Sequence, residues 1–186
     1  MIRLLVVLFA TACLGGCAMV KATPPQAHGG KSDYDVVLDA DYNKVWSALV
    51  DYSSQTFFAI ENIEKESGLM TLSFGSGDEA RFIDCGNVSG MGGTNTTINF
   101  IRSTSQASLN GKMNVLVKEE AEGKTRLRVN ARYIYQAADP SGVYTWSFDT
   151  GGSFTVSSPQ NSVTCLPTHN AERDIINGVK ARLSQS

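Results

Sequence analysis

Basic excess is missing from this chain. Its 16 lysines and arginines stand against 18 acidic residues, for a formal net charge of -2, and the cations form no dense run. That excludes nucleic acid as a partner, because binding a phosphate backbone calls for clustered positive charge. Histidine is scarcer still. His28 and His169 are the only two, neither with a carboxylate or cysteine close by in sequence, so both read as solvated or capping residues rather than metal ligands or general bases. No G-x-S-x-G elbow, S-x-x-K pair or C-x-x-C pair occurs. No catalytic residue, metal site or cofactor is therefore assigned. Apolar runs are short as well, none reaching the roughly 20 residues needed to span a bilayer.

What the sequence does have begins at its start. A basic opening with Arg3, an apolar run from Leu4 to Leu14 and then small residues give the three-part layout of an export leader. The tetrad Leu14-Gly15-Gly16-Cys17 resembles a lipobox, in which a branched apolar residue and two small ones precede the cysteine whose thiol accepts lipid. Cys13 competes, but Ala10-Thr11-Ala12 before it lacks the large apolar residue. Ala18 stands where bacterial sorting often reads an aspartate for inner-membrane retention, which favours the outer membrane. The expectation is a leader over residues 1–16, a lipid anchor and flexible tether over 17–33, broken by Pro24-Pro25 and Gly29-Gly30, and one domain over 34–186. Multiple acyl chains would make the anchor effectively permanent.

Cys85 and Cys165 are the two cysteines beyond the leader region. An even pair in an exported protein is most simply a disulfide.

Within the domain, Tyr34 to Leu38 alternates like a strand. Tyr42, Val45, Trp46, Leu49 and Val50 then recur at helical spacing after the cap residues Asp39-Ala40-Asp41. Met70, Leu72 and Phe74 alternate with polar residues, and strand-like runs follow at Thr96 to Ser103, Ala107 to Lys118 and Thr125 to Tyr135. Tyr144, Trp146 and Phe148 alternate before a turn at Asp149-Thr150-Gly151-Gly152 and a strand through Phe154 and Val156. A closing helix starts at Pro167-Thr168 and sets Ala171, Ile175, Val179 and Leu183 along one stripe. The class is α+β, an antiparallel β-sheet with an N-terminal and a C-terminal helix packed on one face.

The segment Tyr42-Asn43-Lys44-Val45-Trp46-Ser47-Ala48-Leu49, followed by Ile60 to Met70 with its Lys65-Glu66-Ser67-Gly68 turn, resembles the repeat unit of BamC-like outer-membrane lipoproteins. The resemblance covers about forty residues of the chain. It implies a helix-grip fold and an accessory role beside the machinery that inserts β-barrels into the outer membrane.

Candidate surfaces are few. Arg126, Arg128 and Arg132 lie on one face of a strand, where they suit lipid phosphates or an acidic partner; an ordinary polar face is the other reading. The glycine-rich run Gly86 to Gly93 lacks the lysine and strand-to-helix setting of a phosphate cradle and reads as a mobile loop. The function expected is a non-enzymatic interaction or accessory component on the periplasmic face of the outer membrane, with an envelope protein as partner. The alternative is a carrier holding a lipid or other apolar ligand among Trp46, Tyr133, Tyr135 and Trp146.

Overall fold

A computed structural model describes residues 21–90, 93–97, 101, 106–157 and 162–185. The leader, Cys13 and Cys17 lie outside the described residues. Antiparallel strands dominate, and the helices α1 (Tyr42–Ser54) and α2 (Asn170–Leu183) accompany them. The α+β class expected from the sequence is thus present.

Alternation builds the largest sheet. β8 (Gln106–Ala121) and β9 (Lys124–Asp139) pair along almost their whole length, and β4 (Leu69–Ser76), β3 (Ala59–Glu64) and β10 (Gly142–Asp149) extend them in the order β10-β9-β8-β4-β3. β2 (Asp35–Leu38) joins β9 antiparallel on residues 125–128. Every second residue faces inward, so Leu109, Met113, Val115 and Val117 of β8 are buried with Leu127, Val129, Ala131, Tyr133, Tyr135 and Ala137 of β9. Full burial of such side chains contributes about 1.5–3 kcal/mol each before chain entropy is charged against it. Gly111 sits opposite Tyr133 in this row, and the Phe74 ring occupies the space that a side chain there would need.

The helices form where apolar spacing follows 3.6 residues per turn. In α1, Val45, Trp46, Ala48 and Leu49 are buried, and the first helical bond runs from Val45 N–H to the Asp41 carbonyl at 3.1 Å. In α2 the buried set is Ala171, Glu172, Ile175, Ile176, Gly178 and Val179. The Tyr52 ring of α1 lies directly over Gly178, so the two helices pack at a point where α2 has no side chain. No helix among the described residues is long and apolar enough to cross a membrane.

Two smaller sheets correct the expectation of one. β1 (Lys21–Thr23), β6 (Asn87–Gly90) and β7 (Gly93–Thr96) form one, and β5 (Ile83–Asp84), β12 (Ser162–Pro167) and β11 (Phe154–Ser157) form the other. The run Gly86 to Gly93, expected as a mobile loop, therefore supplies most of a hairpin. Thr96, expected to open a strand reaching Ser103, instead ends β7, and much of the remaining stretch lies outside the described residues. Its glycines and asparagines hid this hairpin, because they are poor strand formers and the run shows no hydrophobic alternation. Cys85 and Cys165 are disulfide-bonded across a sequence separation of 80, tying the end of β5 to β12.

The flexible tether is corrected from Lys21 onward. β1 pairs with β6, Lys31–Asp33 forms a single 3-10 turn, and Asp33 accepts a hydrogen bond from Arg173 at 3.2 Å. Prolines and glycines argued against internal structure, but a segment joining an existing edge needs only its backbone groups.

Candidate functional site

Three polar clusters and one exposed edge are the places where chemistry or binding could reside. The first contains the arginine row. Asp35, at the start of β2, pairs in register with Arg128 on β9, and its side chain is only 2% exposed. Arg128 grips one carboxylate oxygen through Nη2 at 2.7 Å and Nε at 3.1 Å. Arg126 places Nε 3.3 Å from the other oxygen and also lies 3.6 Å from Glu120. Burial pushes the Asp35 carboxyl up. The Arg128 hydrogen bond and charge, with the charges of Arg126 and Lys31, outweigh that and hold it below the usual carboxylate range. Two of the three arginines are thus engaged in fastening β2 to β9. Arg132 is the one turned away from Asp35, within 3.5 Å of the Ser147 hydroxyl.

The second cluster is inside the core and has a carboxylate at its centre. Glu172, fully buried in the first turn of α2, accepts a hydrogen bond from the Tyr133 hydroxyl at 2.7 Å and another from the Thr150 hydroxyl at 2.9 Å. Thr150 in turn accepts from the Ala131 N–H at 2.7 Å. The Tyr133 phenol is driven far above the ordinary tyrosine range by its burial, by the negative charge of Glu172 and by the bond between them. His169 precedes the helix in the left-handed backbone region, φ 59°, with its Nδ1 3.7 Å from Glu172 and its ring 5.3 Å from that of Tyr34. The arrangement fixes the start of α2 to the end of β10 and the middle of β9. It presents no open face to a substrate.

His28 is the third case. It was expected to be solvated, yet its Nε2 lies 2.6 Å from Asp84 Oδ2, and Asp84 also accepts the Gly86 N–H at 2.7 Å. For both histidines a carboxylate distant or unnoticed in sequence proves to be the neighbour. Among the described residues no group of three or more histidine, cysteine and acidic side chains is placed to hold a metal ion.

The edge is β3. Every residue from Ala59 to Glu64 is exposed, and β3 ends the strand order. Ile60 pairs with the buried Leu72 and Ile63 with the buried Met70, which places both isoleucines on the inward side of the sheet beyond the cover of α1. Ile63 is 46% exposed and the nearby Phe57 50%. Arg81 lies over the Phe57 ring at 5.4 Å from its centroid. Among the described residues no strand pairs with the outer side of β3, and an open strand edge beside apolar side chains is a combination that sheets usually hide.

The rings expected to enclose an apolar ligand pack on other rings. Tyr133 stacks on Phe148 at 4.9 Å, Tyr135 on Trp146 at 5.7 Å and Trp46 on Tyr42 at 6.2 Å. A groove of about 500 Å³ lies elsewhere, between the outer side of α1 and the end of α2, lined by Lys44, Ser47, Asp51, Arg182 and Leu183.

Sequence reasoning missed Glu172, Asp35 and the exposed side of β3. For Glu172 a signal existed, since positions 172, 175, 176 and 179 share one helical stripe and the glutamate falls among its apolar members. Asp35 offered none, because the two arginines that grip it lie more than 90 residues away. No family model, no curated protein and no solved structure matches this chain.

Proposed function

We propose that this chain is an envelope lipoprotein, anchored through Cys17 on the periplasmic face of the outer membrane, that acts without catalysis as an interaction or accessory component. The exposed edge strand β3 is the observation that carries the interaction role: Ile60, Ile63 and Phe57 offer an apolar strip beside unpaired backbone, a combination suited to adding a partner's strand or segment. The export leader, the Leu14-Gly15-Gly16-Cys17 tetrad and the Cys85–Cys165 disulfide support the compartment. The clustered charges of Asp35, Arg126 and Arg128 and the buried Glu172 knot serve to join elements, which leaves the surface rather than a cleft to bear the function.

The finer fold we propose is the helix-grip arrangement of BamC-like domains, with α1 and α2 gathered on the buried face of the six-stranded sheet. An accessory role beside the assembly of outer-membrane proteins accompanies that likeness.

In-cell photo-crosslinking tests the interaction role. A crosslinker at Ile63 should capture one reproducible partner, while a crosslinker at Asn130, on the opposite face of the sheet, should not. Failure to capture any partner from position 63 would overturn the β3 reading. Cys17→Ser should move the protein from the membrane to the soluble periplasmic fraction; retention in the membrane would overturn the anchor.

A further inference from the structure

A segment with the composition of a slack linker is fastened to the domain at successive points. β1 adds to β6 with Lys21 opposite Ser89 and Thr23 opposite Asn87. Thr23, Pro24 and Pro25 then cross Gly86 so closely that a side chain there would collide with the Thr23 carbonyl oxygen; Gly86 also holds φ at +71°, which a glycine adopts freely. His28 bonds to Asp84 and Asp33 to Arg173. Residues 21–33 are therefore a strap, and the usable slack ends at Lys21.

We propose that this strap makes the small β1-β6-β7 sheet a bilayer-contacting surface, with its Lys21, Ser89 and Thr94 end seated among lipid headgroups. The inference rests on the reading of Cys17 as the acylated residue and adds to it an orientation. Only Ala18, Met19 and Val20 separate Cys17 from Lys21, a reach of at most about 14 Å for a fully extended chain. A tether slack as far as Tyr34 would reach about 60 Å by the same rule. Lys21 pairs with Ser89, and Ser89 pairs with Thr94, so the chain leaves β1 toward the acyl site on the side where β6 and β7 connect.

The chemistry of that side matches its placement. From Cys85 to Ile101 the sequence contains no Asp, Glu, Lys, Arg or His. Asn87 and Thr94 are exposed and Ser89 is half-buried. These groups exchange water for phosphate and ester oxygens without desolvating a charge. Lys21, exposed beside them, supplies one cation toward anionic phosphates. The β8–β9 turn has a different character. Around it Glu119, Glu120 and Glu122 are all exposed, three carboxylates against the exposed Lys118 and Lys124. An anionic membrane surface repels it.

The test uses the full acylated chain in vesicles of phosphatidylethanolamine and phosphatidylglycerol at about 3:1, with a nitroxide quencher on a fraction of the headgroups. A fluorophore is attached through Thr94→Cys or, separately, Glu122→Cys, with the native disulfide kept oxidised. Quenching at position 94 should exceed that at position 122 several-fold. Inserting about 20 Gly and Ser residues between Val20 and Lys21, which restores a slack tether without touching the sheet, should lower the quenching at position 94 at least twofold. Mass spectrometry of the N-terminal peptide reports acylation of Cys17 independently. Acylated protein with equal quenching at both positions, or with quenching at 94 unmoved by the insertion, overturns the placement alone. Protein without the acyl mass overturns the anchor and the placement with it.

Discussion

The interior of the six-stranded sheet and the strapped, disulfide-tied periphery hold together in different ways. Inside the sheet, stabilisation is repeated: β8 and β9 bury alternate residues along their length, and each contributes a similar increment. In the periphery the ties are single, with one disulfide, one aspartate serving both His28 and the Gly86 amide, and one glycine under the strap. Repetition makes a structure tolerant and legible. Single ties make it vulnerable at points that no pattern marks.

Removing the disulfide should break the comparison open most widely. Closing a loop of this separation stabilises by about 4 kcal/mol on the chain-entropy model. Cys85→Ala with Cys165→Ala should lower the urea midpoint accordingly, and hydrogen exchange should show amides of β5, β11 and β12 losing protection well before those of β8 and β9. A uniform loss of protection would mean that the two regions form one cooperative unit.

Within the sheet the Glu172 knot is the exception to repetition, and so the next largest effect. Glu172→Ala leaves the Tyr133 hydroxyl buried without its acceptor and Thr150 with only the Ala131 carbonyl at 3.3 Å and should cost about 3 kcal/mol, while Tyr133→Phe should cost about 1–2 kcal/mol. Calorimetry on the two single variants and the double would measure the coupling, and additive losses would dissolve the knot into independent contacts.

Asp35 marks the border between the regions and is tested through pH. Its native carboxyl titrates below the unfolded value, so its contribution is fully present above about pH 4 and is lost as pH falls through the lowered native value. Asp35→Asn should cost about 1.5 kcal/mol near neutrality, a moderate figure because both arginines remain partly solvated. The gap between wild type and variant should close as the solution is acidified from about pH 4. A gap that persists there would assign the effect to packing rather than charge.

What could be read from residues alone follows the same division. The strand over Thr125 to Tyr135 and the helix stripes at Val45, Leu49, Ile175 and Val179 were visible because burial repeats with the period of the backbone. The hairpin of β6 and β7 was not, since Asn, Ser, Gly and Thr form strands there by pairing with each other and with β1, a preference set by the partner. The Cys85–Cys165 pair was legible by elimination, being the only cysteines after Cys17. The roles of Asp35 and Asp84 were not, because each acts on a residue more than 50 positions distant. Arg126 and Arg128 show the limit from the other side: the strand face was read correctly, but not the carboxylate that occupies it.

Gly86 gives the smallest global effect and the sharpest local one. Alanine at φ +71° costs about 1–2 kcal/mol in a left-handed backbone, and its methyl group would drive into the Thr23 carbonyl. The body of the domain around Cys85 is held by the disulfide, whereas the strap is held by little more than β1, His28 and Asp33. The strain in Gly86→Ala is therefore relieved most cheaply by lifting the strap, which opens locally without unfolding the sheet. Limited trypsin cleavage after Lys31, which lies in the strap, should accelerate about tenfold, the equivalent of 1.4 kcal/mol in the opening equilibrium. The melting temperature should fall by only a few degrees. If the melting temperature fell sharply while cleavage after Lys31 stayed slow, the strap would belong to the cooperative core, and the division between repeated and single ties would have to be redrawn to include it.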